Sequence, residues 1–444
     1  MNNKLKKYII ILSILAVTII VCIIILLNLM KSQKDDLMNE IIDDKESMGV
    51  GEFSEDELKN VNISELLQVS GYIDKFLKST NLRSSIYYAK NENGEYVQAI
   101  ENEYIYKRVL EMLSENFVQK NSIDNNNIFN FIDFSDVDRE YTIIDIKKLE
   151  NNNPIQYATY GILSQNDALY KFQYYIVTID SANGIFAIEP VSDVNNIDEI
   201  KGDNNINLKK QTYNKSPNIS VSAEDVAQYY FKVMKNTIMY DSDRAYNLLD
   251  KEYADKRFGS ESKFKNYVDE YMSEIKQLNL SKYKQESIDN FKDRYLLVDQ
   301  YQNIYTIETN TVSDFSIKLD TYTLLSDNFK EQYDSANEQQ KVAMNIDKWI
   351  QMLNNRDYMN AYNVLDETFK NNNWKSEKEF EQYIKKYMSL HYDVQYTTYS
   401  NENSTYVQTI ELKDFDNKLD SIIRLNIIMQ LKDNYDFIMS FNVE

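Results

Sequence analysis

The sequence predicts an α+β protein, with an N-terminal transmembrane helix followed by three tandem cone-shaped domains, each built of helices packed on a curved antiparallel sheet. Three observations carry that expectation. One block of the chain occurs twice at a fixed offset. Each occurrence sits in a helices-then-strands order, the signature of α+β domains. A long apolar run stands near the N-terminus.

The repeated block is 245–272. Ala245-Tyr-Asn-Leu-Leu-Asp250 returns as Ala361-Tyr-Asn-Val-Leu-Asp366, and the same offset of 116 relates Ser260 to Ser376, Phe264 to Phe380, Tyr267 to Tyr383 and Tyr271 to Tyr387. Self-similarity at a domain-length period means duplicated domains rather than a short-repeat solenoid.

In order along the chain, residues 1–7 carry Lys4, Lys6 and Lys7 and read as a cytoplasmic tail. Residues 8–30 are uncharged and mostly apolar, long enough for a helix across about 30 Å of hydrocarbon. The flanking lysines and the acidic remainder of the chain favour a cytoplasmic N-terminus. The expectation is therefore a single-pass cell-membrane protein, held in the lipid bilayer by 8–30, with its bulk extracytoplasmic. Residues 31–60 are polar and acidic, a juxtamembrane stalk.

From 61 to 192 the chain turns globular. Leu66, Val69, Ile73, Phe76 and Leu77 recur at helical spacing, and alternation around Asn93-Gly94 predicts a hairpin within 84–100. Strands are expected at 141–146, 155–163, 169–179 and 185–191. Residues 193–219 lose periodicity and read as a linker and hinge. A second domain spans 220–334 and a third 335–444, each opening on an amphipathic helix, passing through the repeated block and ending in four strands. The last hairpin aligns without gaps to the end of the first domain at an offset of 251 (Val177/Ile428, Phe186/Phe437), so the first domain is read as a diverged third copy.

This order resembles the nuclear transport factor 2-like (cystatin-like α+β cone) superfamily. More narrowly, NIDKWIQMLNNRDYMNAYNVLDETFKNNNW (345–374) resembles uncharacterised membrane-anchored proteins of low-GC Gram-positive anaerobes. The resemblance implies a fold rather than a function, because the cone hosts enzymes, binders and scaffolds alike.

Composition excludes several chemistries. A net charge of −21 repels phosphate polyanions, so nucleic acid is not an expected partner. One Cys, Cys22, and one His, His391, leave no disulfide, no Cys/His zinc site and no Ser-His or Cys-His pair beyond His391 alone. Phosphate-cradling glycine motifs are absent. No cofactor, metal or catalytic set is implied.

Within the repeated block the aromatic stripe reads as core. Two Asn-x-x-Asp pairs, Asn247/Asp250 and Asn363/Asp366, are the weak ligand-binding candidates: a carboxylate facing a cone mouth, with a tyrosine hydroxyl, is the acid–base set of the superfamily's isomerases and dehydratases. The alternative is that both aspartates hold the loop after their helix. Ser376 and Glu379 predict a capping box. The leading functional expectation is a non-enzymatic scaffold with protein partners in the cell envelope, self-association being open to it. The alternatives are a small-molecule binder or sensor using the cone interior, and an Asp/Tyr isomerase or dehydratase.

Overall fold

A computed structural model describes residues 61–444, apart from 91–92, 101, 150–153, 204–205, 289–291, 325–326, 389–390 and 415–421. Three units follow one another, each a layer of helices on a four-stranded antiparallel sheet whose strands neighbour one another in chain order.

The first unit opens with α1 (Ile63–Ser79), started by a reciprocal box in which Asn62 accepts from the Glu65 N–H and Glu65 from the Asn62 N–H. Leu66, Val69, Ile73 and Phe76 fall on one stripe and are buried. The expected hairpin follows as β1 (Ile86–Lys90) and β2 (Tyr96–Ile100), with Gly94 at φ 78° supplying the left-handed turn residue. Then come α2 (Asn102–Leu110), α3 (Glu115–Lys120) and a 3-10 turn (Ile128–Asn130). The sheet is β3 (Arg139–Leu149), β4 (Ile155–Gln165), β5 (Ala168–Asp180) and β6 (Ile185–Val191).

The second unit has α4 (Ala223–Tyr240), α5 (Ser242–Leu248), α6 (Lys251–Arg257) and α7 (Glu261–Gln277), then β7 (Leu280–Ser287), β8 (Asp293–Asp299), β9 (Ile304–Thr309) and β10 (Phe315–Lys318). After α8 (Asp327–Ser335), the third unit has α9 (Glu338–Asn354), α10 (Tyr358–Asn363), α11 (Glu367–Asn373) and α12 (Glu377–Tyr387), then β11 (Tyr392–Glu402), β12 (Thr405–Asp414), β13 (Ile423–Leu431) and β14 (Phe437–Val443). Ser376 caps α12 as expected, but Glu379 reaches one residue further back, to the Lys375 N–H at 2.9 Å, so the box is not closed on Ser376.

One contact recurs in all three units. Leu113, Leu249 and Leu365 each form an isolated parallel bridge, to Ile188, Ile317 and Met439 on the last strand of their own sheets. This latch ties the helix layer to the sheet and fixes which residues correspond. Through the sheet registers Val177↔Ile188 and Met429↔Met439, Val177 corresponds to Met429. The expected ungapped alignment at 251 therefore holds on the last strand and slips by one residue on the strand before it, because the third unit's connection between the matched residues is one residue shorter.

Units one and two share a single hydrophobic core, and the third has its own. At the first joint Asn236 donates to the Thr142 hydroxyl at 2.8 Å and Arg244 to the Ile144 carbonyl at 2.7 Å, so α4 and α5 lie along edge strand β3. The segment 193–219, expected as a linker and hinge, is tied to the first unit through its described residues. Ile197 and Ile200 are buried against the first unit's sheet, the Asp203 N–H donates to Gln156 at 2.7 Å, and the Phe186 N–H bonds to the Asn214 carbonyl at 3.0 Å. Gly71 on α1 leaves room for Ile219, which a Cβ would strike.

The second joint is built differently. Arg257, on α6, lies between Asp357 at 3.1 Å and Asp320 at 3.5 Å, and its guanidinium also donates to the Asn355 carbonyl at 2.9 Å. All three side chains are almost fully buried. Asp320 accepts in addition from the Tyr253 hydroxyl at 2.8 Å and the Thr323 N–H at 2.9 Å. This explains why β10 stops at Lys318: Asp320 turns to Arg257, and Tyr322 enters the third unit's core.

No helix among the described residues is long and apolar enough to cross a membrane. The expected fold with a spanning helix, and the expected placement as a single-pass membrane protein with an extracytoplasmic bulk, are corrected on that finding. The physical reason lies in the helices themselves: even α4, at 18 residues the longest, is apolar on one stripe only and carries Glu224, Asp225, Lys232 and Lys235. Residues 8–30 and the stalk at 31–60, on which that expectation rests, lie outside the described residues.

Candidate functional site

The Asn-x-x-Asp candidates sit at the latch. Asp250 begins α6, its carboxylate accepting from the Tyr253 N–H at 2.9 Å, and Asp366 begins α11, accepting from the Phe369 N–H at 3.0 Å. Their own N–H groups donate to the Ile317 and Met439 carbonyls, at 3.1 and 2.8 Å. In the first unit Ser114 does both tasks, its hydroxyl accepting from the Phe117 N–H and its N–H donating to the Ile188 carbonyl, each at 3.1 Å. Helix capping and strand latching account for the repetition of the aspartates, and Asn247 and Asn363 are exposed. Neither carboxylate accepts from a tyrosine hydroxyl among the described residues. Asp250→Ala and Asp366→Ala should each lower stability by about 1 kcal/mol, and Asn, which caps as well, by much less. Denaturant unfolding of the four variants checks this; an Asn loss as large as the Ala loss would show that the charge, not the cap, is what matters.

His391 stacks flat on Tyr301, with ring centroids 4.2 Å apart and 6° between planes, at the second joint. Buried aspartate–tyrosine pairs do occur, but they are saturated. Asp320 also binds Arg257 and Thr323, and Asp299, which accepts from the Tyr305 hydroxyl at 2.8 Å, also takes the Tyr301 and Asn303 N–H groups and the Asn303 side chain. Among the described residues no group of three His, Cys, Asp or Glu side chains could hold a metal ion.

The open site lies in the first unit. In units two and three the helix layer is completed by α7 and α12, packed behind Phe258 and Trp374. The first unit has no such helix among its described residues; 121–138 carries only the 3-10 turn. A cavity of about 390 Å³ opens there, between α1, α3, that segment and the sheet. This falls within the range of roughly 300–1,000 Å³ usual for ligand pockets. Phe76, Phe117, Phe131, Leu163 and Val191 supply apolar wall.

The polar wall is a row on β5. Lys171, Gln173 and Tyr175 alternate, so they share the inward face, and Arg139 lies beside them at the start of β3. Arg139 donates to the Asp133 carbonyl at 2.6 Å, and Lys171 meets the Asp133 carboxylate at 2.5 Å. Both cations lie over the Tyr170 ring, at 5.6 and 5.7 Å. Tyr175 is 4% exposed, wedged edge-on against Tyr141 and Phe76, and its hydroxyl has no hydrogen-bond partner among the described residues. Burial pushes this phenol well above its usual range, with Arg139 pulling the other way, so it is a neutral donor at any physiological pH.

Through the latch correspondence, Lys171, Gln173 and Tyr175 match Ile423, Leu425 and Ile427 on β13, the latter two fully buried in the third unit's apolar core. In the second unit Tyr305 matches Tyr175, but its hydroxyl is spent on Asp299. The first unit thus differs from its siblings by a lost helix and an inward polar row. None of Arg139, Lys171, Gln173 and Tyr175 is singled out by the sequence reading, nor are Arg257, Asp320 and Asp357. The available signal was the Lys-x-Gln-x-Tyr alternation inside an otherwise apolar strand.

No family model matches the chain, and neither the curated proteins nor the solved structures contain a match to it. The fold and site on their own define an α+β protein of three sheet-and-helix units, one of which holds a cavity.

Proposed function

We propose that the chain is a non-enzymatic interaction scaffold, a set of units held in fixed register to present surfaces to protein partners or to further copies of itself. The observation that supports this is the joining of the units: a core common to the first two, and a buried Arg257–Asp320–Asp357 clasp to the third. Mobile tandem domains would instead meet through small polar contacts. The helices-then-sheet order of each unit also fits the nuclear transport factor 2-like resemblance, which belongs to this proposal. Native mass spectrometry of the full chain from its source cells, after crosslinking in the cells, tests the reading. A homo-oligomer or a second protein at stoichiometric mass is expected; a chain that stays monomeric and uncrosslinked would sink it.

A second reading is favoured by the cavity, namely that the first unit binds a small molecule while the other two mount it. It does not compete with the scaffold reading, because the cavity occupies one unit.

A further inference from the structure

We propose that the cavity of the first unit binds a small organic carboxylate with an apolar body, held by Arg139, Lys171 and Tyr175. The proposal rests on the second reading above and adds the chemical class of the ligand.

Three features of the cavity carry it. The first is the donor set. Guanidinium, ammonium and a neutral phenol O–H are all donors, and a carboxylate is an acceptor only, with room for about four hydrogen bonds on its two oxygens. Arg139 uses one nitrogen on the Asp133 carbonyl and the Tyr175 hydroxyl has no acceptor among the described residues, so both have capacity toward a ligand. The Tyr175 hydroxyl is not sealed in but faces the cavity, where a bound carboxylate can take the place of water as its acceptor.

The second feature is the charge balance. Arg139 and Lys171 face one carboxylate, that of Asp133, which stands 46% exposed at the rim. Among the described residues this leaves one positive charge uncompensated, in a chain whose net charge is −21. A monoanion matches that balance. A phosphate monoester, with a charge of about −1.5 to −2, exceeds it. Charge-assisted bonds to Arg and Lys are also the stronger kind, and Arg presents its donors as a fork suited to a carboxylate.

The third feature is the wall opposite the polar row. Phe76, Phe117, Phe131, Leu163 and Val191 are apolar, and the volume exceeds what a bare carboxylate would fill. A ligand that left these walls wet would gain nothing from them, so a branched, aliphatic or aromatic body is required. The contrast with the third unit supports the same reading: where nothing is to be bound, the inward row is Ile423, Leu425 and Ile427 and the space is closed by Trp374 and Phe441.

The test is calorimetric titration of the full chain with hexanoate, octanoate, phenylacetate and 3-phenylpropionate, each paired with its primary amide. At least one carboxylate should bind in the millimolar range or tighter, and about tenfold or more tighter than its amide. Tyr175→Phe and Lys171→Met should remove most of that preference while leaving thermal unfolding nearly unchanged, since the Lys171–Asp133 pair is half exposed and contributes little to stability. Arg139→Gln should do the same, although Arg139 also braces the 121–138 segment, so Tyr175→Phe is the deciding variant. Equal binding of acids and amides would overturn the carboxylate assignment and leave the binder reading standing. Carboxylate binding that survives in all three variants would place the site elsewhere and overturn the proposal. If no probe, charged or neutral, binds at millimolar concentration, the binder reading falls with it.

Discussion

Replacing Arg257 with methionine is expected to cost about 3–5 kcal/mol of stability, because it removes one partner of a buried ion cluster and strands two carboxylates. Arg257 is 6% exposed, Asp320 4% and Asp357 fully buried, so water cannot take over the lost bonds. The loss should also depend on pH, in a direction the burial dictates. Burial raises both Asp320 and Asp357 above the usual carboxylate range, and Arg257 draws both back down. A carboxyl whose folded pKa is raised contributes stability that is fully present below its unfolded pKa and is lost as pH rises through the folded value. Without Arg257 the two values rise further, since the attraction is gone and the burial remains. The defect of the methionine variant should therefore shrink in mildly acidic buffer and grow in mildly alkaline buffer. Asp320→Asn, which leaves one carboxylate for one guanidinium and keeps an acceptor for Tyr253, should cost only about 1 kcal/mol. Denaturant unfolding of the three proteins at both ends of the pH range decides it. An Arg257→Met loss below that of Asp320→Asn would show that the clasp is not what joins the units.

The same clasp shows why equal repeats do not make equal joints. Asp241 and Asp357 occupy matching positions and do the same local work, each capping the short helix that follows through the Arg244 and Asn360 N–H groups. Only Asp357 is enclosed, because Arg257 of the preceding unit sits on it, whereas the Arg244 beside Asp241 reaches back to the Ile144 carbonyl. A solenoid would repeat one interface. Here the local structure repeats and the interfaces do not.

What could be read from the sequence follows from where the chemistry is local. Helix stripes, the Asn93-Gly94 turn, the cap at Ser376 and the order of strands depend on neighbours within a few residues, and the structure has them. The spanning helix expected over 8–30 has no counterpart among the described helices. The joints were not legible, since they pair residues such as Arg257 and Asp357 that are far apart in the chain and carry no common pattern. The cavity was hidden by a more specific error. At an ungapped offset of 251, Gln173 and Tyr175 fall against Arg424 and Asn426, polar residues of the less buried face, and look unexceptional. The shorter connection in the third unit shifts the true match by one residue, and in a strand one residue exchanges the two faces. Against Leu425 and Ile427, the same two side chains become polar groups pointing into a core.

Trp349→Ala is expected to cost about 3–5 kcal/mol and, unlike the Arg257 variant, to do so within the third unit alone. Trp349 is fully buried on α9, its ring centroid lies 5.2 Å from that of Phe441 on β14, and its indole N–H donates to the Ala361 carbonyl at 3.2 Å. It therefore joins the first helix, the repeated block and the last strand, and alanine would leave a cavity at their meeting point. The third unit's core has no member in common with the core of units one and two, so its loss should not carry them with it. The chain's two tryptophans make this measurable. Trp374 is the only other one, and it lies in the same core against Phe380 and Phe441. In the alanine variant tryptophan fluorescence reports on the third unit alone, while far-ultraviolet circular dichroism reports on the whole chain. Fluorescence should be lost at a lower denaturant concentration than in the parent protein, and circular dichroism should show two steps, the second at the parent position. Coincident single transitions by both probes, shifted together, would mean that the Arg257 clasp couples the cores into one cooperative unit despite their separate packing.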